Sequence, residues 1–127
     1  LNKYLAAMMD AQSDYDIVLD ETHHLQKKDA PSGTAITLAE QIIENIKRKK
    51  HWSKEQTNEP TSFPIIAHRE EGVPGTHHVK YTSDIDDIEI IHTAHNRTGF
   101  AFGAVLAAEF IHHKKGIYTM KEVLGLV

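Results

Sequence analysis

The sequence contains no cysteine, which excludes disulfides and thiolate metal sites and leaves the redox compartment unreadable. No apolar run approaches the ~20 residues of a membrane span, and no signal-peptide pattern opens the chain. The seven glycines nowhere form G-x-G-x-x-G, so a dinucleotide phosphate loop is lacking. H-E-x-x-H is lacking too, and the acidic stretch Asp84-Ile85-Asp86-Asp87 has neither the glycine nor the terminal glutamate of an EF-hand loop. Positive charge is in short supply, with 14 Lys+Arg against 18 Asp+Glu and a net charge of −4. That balance disfavours a dedicated nucleic-acid binder. What remains is one domain's worth of chain, 127 residues, expected to be soluble and cytoplasmic. Leucine rather than methionine at position 1 is what a piece of a longer protein would show.

Histidine is plentiful. Ten occur, six of them as the pairs His23-His24, His77-His78 and His112-His113. Neighbouring histidines on a strand face opposite sides, and on a helix they diverge by about 100°, so no pair is a natural chelate and no metal is expected. The basic run Lys47-Arg48-Lys49-Lys50 reads as a solvated helix end complementing the dipole.

The chemistry concentrates in His23-His24-Leu25-Gln26-Lys27-Lys28-Asp29-Ala30-Pro31-Ser32-Gly33-Thr34-Ala35. The second half opens an amphipathic helix in which Ile36, Leu38, Ala39, Ile42, Ile43 and Ile46 make one stripe and Glu40, Gln41, Glu44 and Lys47 the other. Pro31 suits the first turn of that helix, which is expected to run from about Ser32 to Lys50. Free amides around Ser32, Gly33 and Thr34 then sit at the positive end of the dipole, where carboxylate or phosphate binds. Gly33 allows close approach to the backbone. Just before this helix start stand imidazole and ammonium groups able to donate protons.

In chain order, residues 1–11 read as a helix with Tyr4, Leu5 and Met8 on one stripe. Residues 15–22 alternate with period two and read as a strand. Residues 52–61 read as a loop, with Trp52 as packing. Residues 63–69 read as a strand whose Pro64 marks an edge. Two further strands, residues 77–83 and 88–94, flank the acidic turn. The helix from Phe100 to Ile111 is apolar nearly all round and wants burial on several sides, which calls for a partner domain or subunit. Residues 120–127 read as a last short helix. The fold class is α+β, a mixed sheet of about four strands backed by helices.

The string His23-His24-x-x-Lys27-x-Asp29-Ala30-Pro31-Ser32-Gly33-Thr34-Ala35 resembles the signature of bacterial dihydrodipicolinate reductases, enzymes of the diaminopimelate route to lysine. Weaker similarity continues through Arg69, Gly75, His77, His92, Arg97 and Phe100-Ala101-x-Gly103-Ala104-Val105. Glu71 departs from the glycine that several members carry in the link after Arg69. The resemblance covers the C-terminal substrate-binding and tetramerisation domain, residues 1–98, followed by a helical segment, residues 99–127, that would pack on an absent N-terminal nucleotide domain.

The resemblance implies reduction of 4-hydroxy-tetrahydrodipicolinate with NADPH or NADH, in a homotetramer, without metal, nucleic acid or membrane. It assigns His23 as acid/base and Lys27 as a second proton donor. His24, Ser32, Gly33 and Thr34 would bind the dicarboxylate, and Arg97 and Phe100 would lie near the cofactor edge. Asp29 reads as a turn or capping residue. The fragment alone would be inactive. The competing reading is a non-catalytic anion-binding and oligomerisation module.

Overall fold

A computed structural model describes residues 1–126. The chain divides into two compact units, Leu1–His95 and a second from Asn96 onward. The first unit runs α1 (Asn2–Met9), β1 (Asp16–His23), α2 (Gly33–Asn45), β2 (His51–Ser53), β3 (Ser62–Arg69), β4 (Gly75–Thr82) and β5 (Asp87–Ala94). The second holds α3 (Thr98–Ile111) and α4 (Met120–Val123).

The sheet has five strands, in the order β2-β3-β1-β4-β5, where the sequence suggested about four. The extra strand, β2, lies where the polar composition reads as loop, because three residues are too few for a period of two to register. Trp52 on it packs against the core, as expected. The strands β2 and β3 run parallel to their neighbours, whereas β4 and β5 continue antiparallel from β1. Pro64 is therefore not on an outer strand: it pairs with Ser53 at the end of β2, and beyond that point β3 has a free flank.

Strand alternation divides the sheet into two faces. Ile17, Leu19, Phe63, Ile65, Val79 and Tyr81 lie buried on one, under Ala35, Ala39, Ile42 and Ile46 of α2 and Ala6 and Met9 of α1. The spacing of the α2 residues is the helical stripe read from the sequence. In α1 the stripe is different. Tyr4 and Met8 are exposed, and Asn2, Ala6 and Met9 face inward. Small Ala6 permits close approach, and the Asn2 amide donates to the Leu38 carbonyl and to Gln41 Oε1, both at 3.0 Å.

Helix α2 stops at Asn45 rather than Lys50, with Ile46 already extended. The basic run beyond it is used for tertiary bonding, not left in solvent. Arg48 donates to the carbonyls of Met9, Asp10, Gln12 and Tyr15 at 3.0–3.1 Å, satisfying the end of α1. Buried Lys49 donates to the carbonyls of Pro60 and Ser62 at 3.0 and 2.9 Å. At the other end of α2, Ser32 is the N-cap, accepting from the Ala35 amide at 3.2 Å. Pro31 precedes the cap on a cis peptide bond instead of entering the first turn. The link after Arg69 turns at Gly72, whose φ of +76° suits glycine, so Glu71 does not occupy the strained position.

In the second unit no residue of α3 is buried, and Phe100, Phe102, Val105 and Ile111 are each more than half exposed. No helix is long and apolar enough to cross a membrane among the described residues.

Candidate functional site

The site grows from the last turn of β1. Glu21 and His23 are two residues apart on a strand, so both project to the helix-covered face, and both are buried. Burial of a carboxylate requires donors, and Glu21 has three. Its Oε1 accepts from Arg69 Nη2 at 3.0 Å and from the Ser32 amide at 3.2 Å, and its Oε2 meets His23 Nδ1. Arg69 reaches it because β3 runs parallel to β1 with Arg69 in register with His23. The same guanidinium donates to the Lys27 and Asp29 carbonyls at 3.2 and 2.6 Å, strapping the signature turn to the sheet.

From the other side comes β4. His77 pairs in register with Glu21. Its Nε2 lies 2.9 Å from Ser32 Oγ, and its ring meets that of His23 edge-on at 5.1 Å. Burial pushes the His77 imidazole down to about 4, helped by the neighbouring His23 charge and against the pull of Glu21. His77 is thus neutral near pH 7, and the Ser32 hydroxyl can donate to its Nε2 while accepting from Ala35. Gly75 completes the wall: a Cβ there would stand 3.1 Å from His23 Nε2.

The residues singled out in the sequence fall into three groups. His23, Lys27, Ser32, Gly33 and Thr34 are brought to one corner, where the end of β1 meets the start of α2. His24 follows the strand end, its Nδ1 3.1 Å from Gln26 Oε1. Arg97 stands at the N-cap position of α3, where its side chain makes no cap bond, and Phe100 lies in the first turn, in the second unit.

Partners within the chain already occupy part of the helix start. The Ser32 amide is taken by Glu21 and its hydroxyl by Ala35 and His77, so the open donors are the amides of Gly33 and Thr34, on exposed residues. A Cβ at Gly33 would meet nothing within 4 Å, so no packing within the chain demands glycine there. Lys27 is mostly covered and pairs with Asp29 at 2.7 and 2.9 Å. The ammonium beside Asp29 holds its carboxyl below the usual range, which makes Asp29 the counter-ion of Lys27 and not a helix cap.

Glu21, Arg69 and His77 carry the geometry and were not among the site residues read from the sequence. The signal for Glu21 was its position two residues before His23, an acid in phase with Ile17 and Leu19. For Arg69 and His77 only tertiary pairing reveals the connection. Glu21, His23 and His77 also bring one ligand atom each within 4.8 Å of one another, a spacing a metal could use. With Arg69 hydrogen-bonded to the same carboxylate, a cation there would meet a guanidinium. The cluster is already internally paired.

Residues 1–124 match the family model described as dihydrodipicolinate reductase, C-terminus. A 4-hydroxy-tetrahydrodipicolinate reductase of Christiangramia forsetii is 56% identical over 125 residues, covering 98% of this chain and 52% of that protein. One from Methanosarcina acetivorans is 45% identical over 117 residues, covering 90% and 44%. The chain thus spans about half the length of the curated relatives it matches. A solved dipicolinate-bound dihydrodipicolinate reductase from a Paenisporosarcina strain shares the fold, with a TM-score of 0.64 at 23% identity over 95% of this chain and 49% of that one.

Proposed function

The chain belongs to the dihydrodipicolinate reductase C-terminal family, and from that premise we propose that it is the substrate-binding half of a two-domain reductase. That enzyme reduces 4-hydroxy-tetrahydrodipicolinate to tetrahydrodipicolinate with NADPH or NADH, in the diaminopimelate route to lysine. A nicotinamide supplies the hydride when bound. No glycine-rich phosphate loop exists in this chain, so what these residues contribute is the dicarboxylate cradle and the proton. Residues 99–127 would then lie against the nucleotide domain, which accounts for the apolar exposure of Phe100, Phe102 and Val105, with Arg97 and Phe100 toward the cofactor. A homotetramer, assembled through the sheet face that the helices leave open, completes the reading, in the cytoplasm.

The observation that carries it is the corner where a buried imidazole meets an open helix start. The amides of Gly33 and Thr34 offer a carboxylate two N–H donors at a positive dipole end. Lys27 adds a cation beside them, and His24 flanks the entrance. Ser32 shapes this cradle from beneath, through its bonds to His77 and the α2 backbone. Hydride arrival at a conjugated ring builds negative charge, and His23, at the strand end, is the group to quench it with a proton from Nε2. Lys27 provides a second proton or a fixed positive field.

The test is calorimetric titration of this chain with pyridine-2,6-dicarboxylate, a flat dicarboxylate, beside a Lys27→Ala variant. Saturable binding that weakens about tenfold or more in the variant is the expected result, since a charge-assisted contact contributes ~1.5–3 kcal/mol. In the full-length reductase carrying this domain, His23→Ala lowers turnover roughly 10²–10⁴-fold. Absence of dicarboxylate binding both here and in that reductase with its nicotinamide bound would overturn the reading. Tight binding with turnover indifferent to His23 would leave an anion-binding module instead.

A further inference from the structure

Glu21 is the most completely buried charged residue of the site, at 1% exposure, on a strand face it shares with Ile17, Leu19 and His23. If only packing mattered, an apolar side chain would serve there at no loss. Its bonds are directional. One oxygen is held by Arg69 and by the Ser32 amide. The other faces His23 Nδ1. A carboxylate oxygen can only accept, so Nδ1 carries the hydrogen and the exchangeable nitrogen of His23 is Nε2. Nε2 in turn looks toward position 75, where a Cβ would stand at 3.1 Å and glycine places none.

Building on the reading of His23 as the acid/base, we propose that Glu21 is its positioning residue: Glu21, oriented by Arg69, fixes the Nδ1–H tautomer and supports the imidazolium, while Gly75 keeps Nε2 open to the substrate. The logic is that of a base oriented by a third group, here reached without a serine nucleophile. The charged and titratable groups around His23 and the His77 ring it meets are Glu21 on its own strand, Arg69 from β3, His77 from β4, His92 from β5 and Lys27 from the turn. Glu21 is the one anion among them. Removing its charge leaves His23 facing cations and a neutral imidazole, so the protonated ring loses its support.

The experiment uses the full-length reductase with Glu21→Gln, Glu21→Asp, Gly75→Ala and His23→Ala, assayed for kcat and KM across pH, with thermal melting to verify folding. Glu21→Gln removes the charge and, with its single oxygen held by the Arg69 and Ser32 donors, turns an NH2 toward Nδ1. The expected result is a kcat lowered by about 10²-fold or more, a dicarboxylate KM within about threefold, and an activity profile whose alkaline limb moves to lower pH. Glu21→Asp recovers part of the loss. Gly75→Ala changes KM more than Glu21→Gln does, because it crowds Nε2. Inactive His23→Ala together with a wild-type pH profile in Glu21→Gln overturns the role of Glu21 alone. Fully active His23→Ala overturns the acid/base reading on which it rests. Imidazole nitrogen NMR of the wild-type protein checks the tautomer without any variant: a protonated Nδ1 on neutral His23 is expected, and protonation at Nε2 instead would overturn the proposal.

Discussion

His77 is the residue whose environment makes the most direct thermodynamic statement. In the folded chain its imidazole titrates at about 4, against 6.5 for an ordinary histidine, chiefly because burial penalises the charged form. As pH falls, the unfolded chain takes up this proton first. The stability His77 contributes is therefore complete above pH 6.5 and is lost as pH falls from there to about 4. Melting temperatures measured across that window should decline, and His77→Gln should flatten the decline while keeping an acceptor for Ser32. A decline of equal steepness in the variant would place its source in other groups. Individual residues were unevenly legible. His23, Lys27, Gly33 and Thr34 stood out as candidates because imidazole, ammonium and helix-start amides have chemical meaning before folding. Arg69 did not, because its link to Glu21 spans 48 positions of sequence.

At the scale of elements, periodicity located most helices and strands and failed at their ends. The α2 stripe continues through Ile46, yet the helix closes at Asn45. The following residues serve other parts of the fold: the Lys47 amide donates to Asp10 Oδ1 at 2.7 Å, and Arg48 ties down four carbonyls around the end of α1. A basic run has the same composition whether it lies in water or bonds to a neighbouring helix end, so charge patterning alone selects the commoner case. Arg48→Met should consequently destabilise by about 2–3 kcal/mol, since charge-assisted hydrogen bonds are lost and the carbonyls are only partly rehydrated. The melting temperature should fall by roughly 10 °C. Arg48→Lys should restore little, because an ammonium cannot span all four acceptors as the planar fork does. A melting temperature unchanged in Arg48→Met would mean that water replaces the guanidinium at no cost.

For the whole molecule, the division at His95 separates a unit with its own core from one whose main helix buries nothing. Every atom of the described corner, from Glu21 to His77, belongs to the first unit. A chain ending at His95 should therefore melt cooperatively and bind pyridine-2,6-dicarboxylate within about threefold of the longer chain, a difference of less than ~0.7 kcal/mol. The longer chain should bind far more of a dye specific for exposed apolar surface, through Phe100, Phe102, Val105 and Ile111. Loss of dicarboxylate binding on truncation would show that residues beyond 95 complete the site.

The sequence by itself determined the α+β class, the helix start at Ser32 and the string from His23 to Ala35, because those depend on local periodicity, capping chemistry and residue type. It also determined that α3 would be left apolar on all sides, a property of composition alone. Tertiary structure decided the fifth strand, the true end of α2, the inward face of α1 and the pairing of Glu21 with His23, Arg69 and Ser32. Each of these is a bond or packing contact between residues far apart in the chain, and its free energy exists only once the sheet has brought them together.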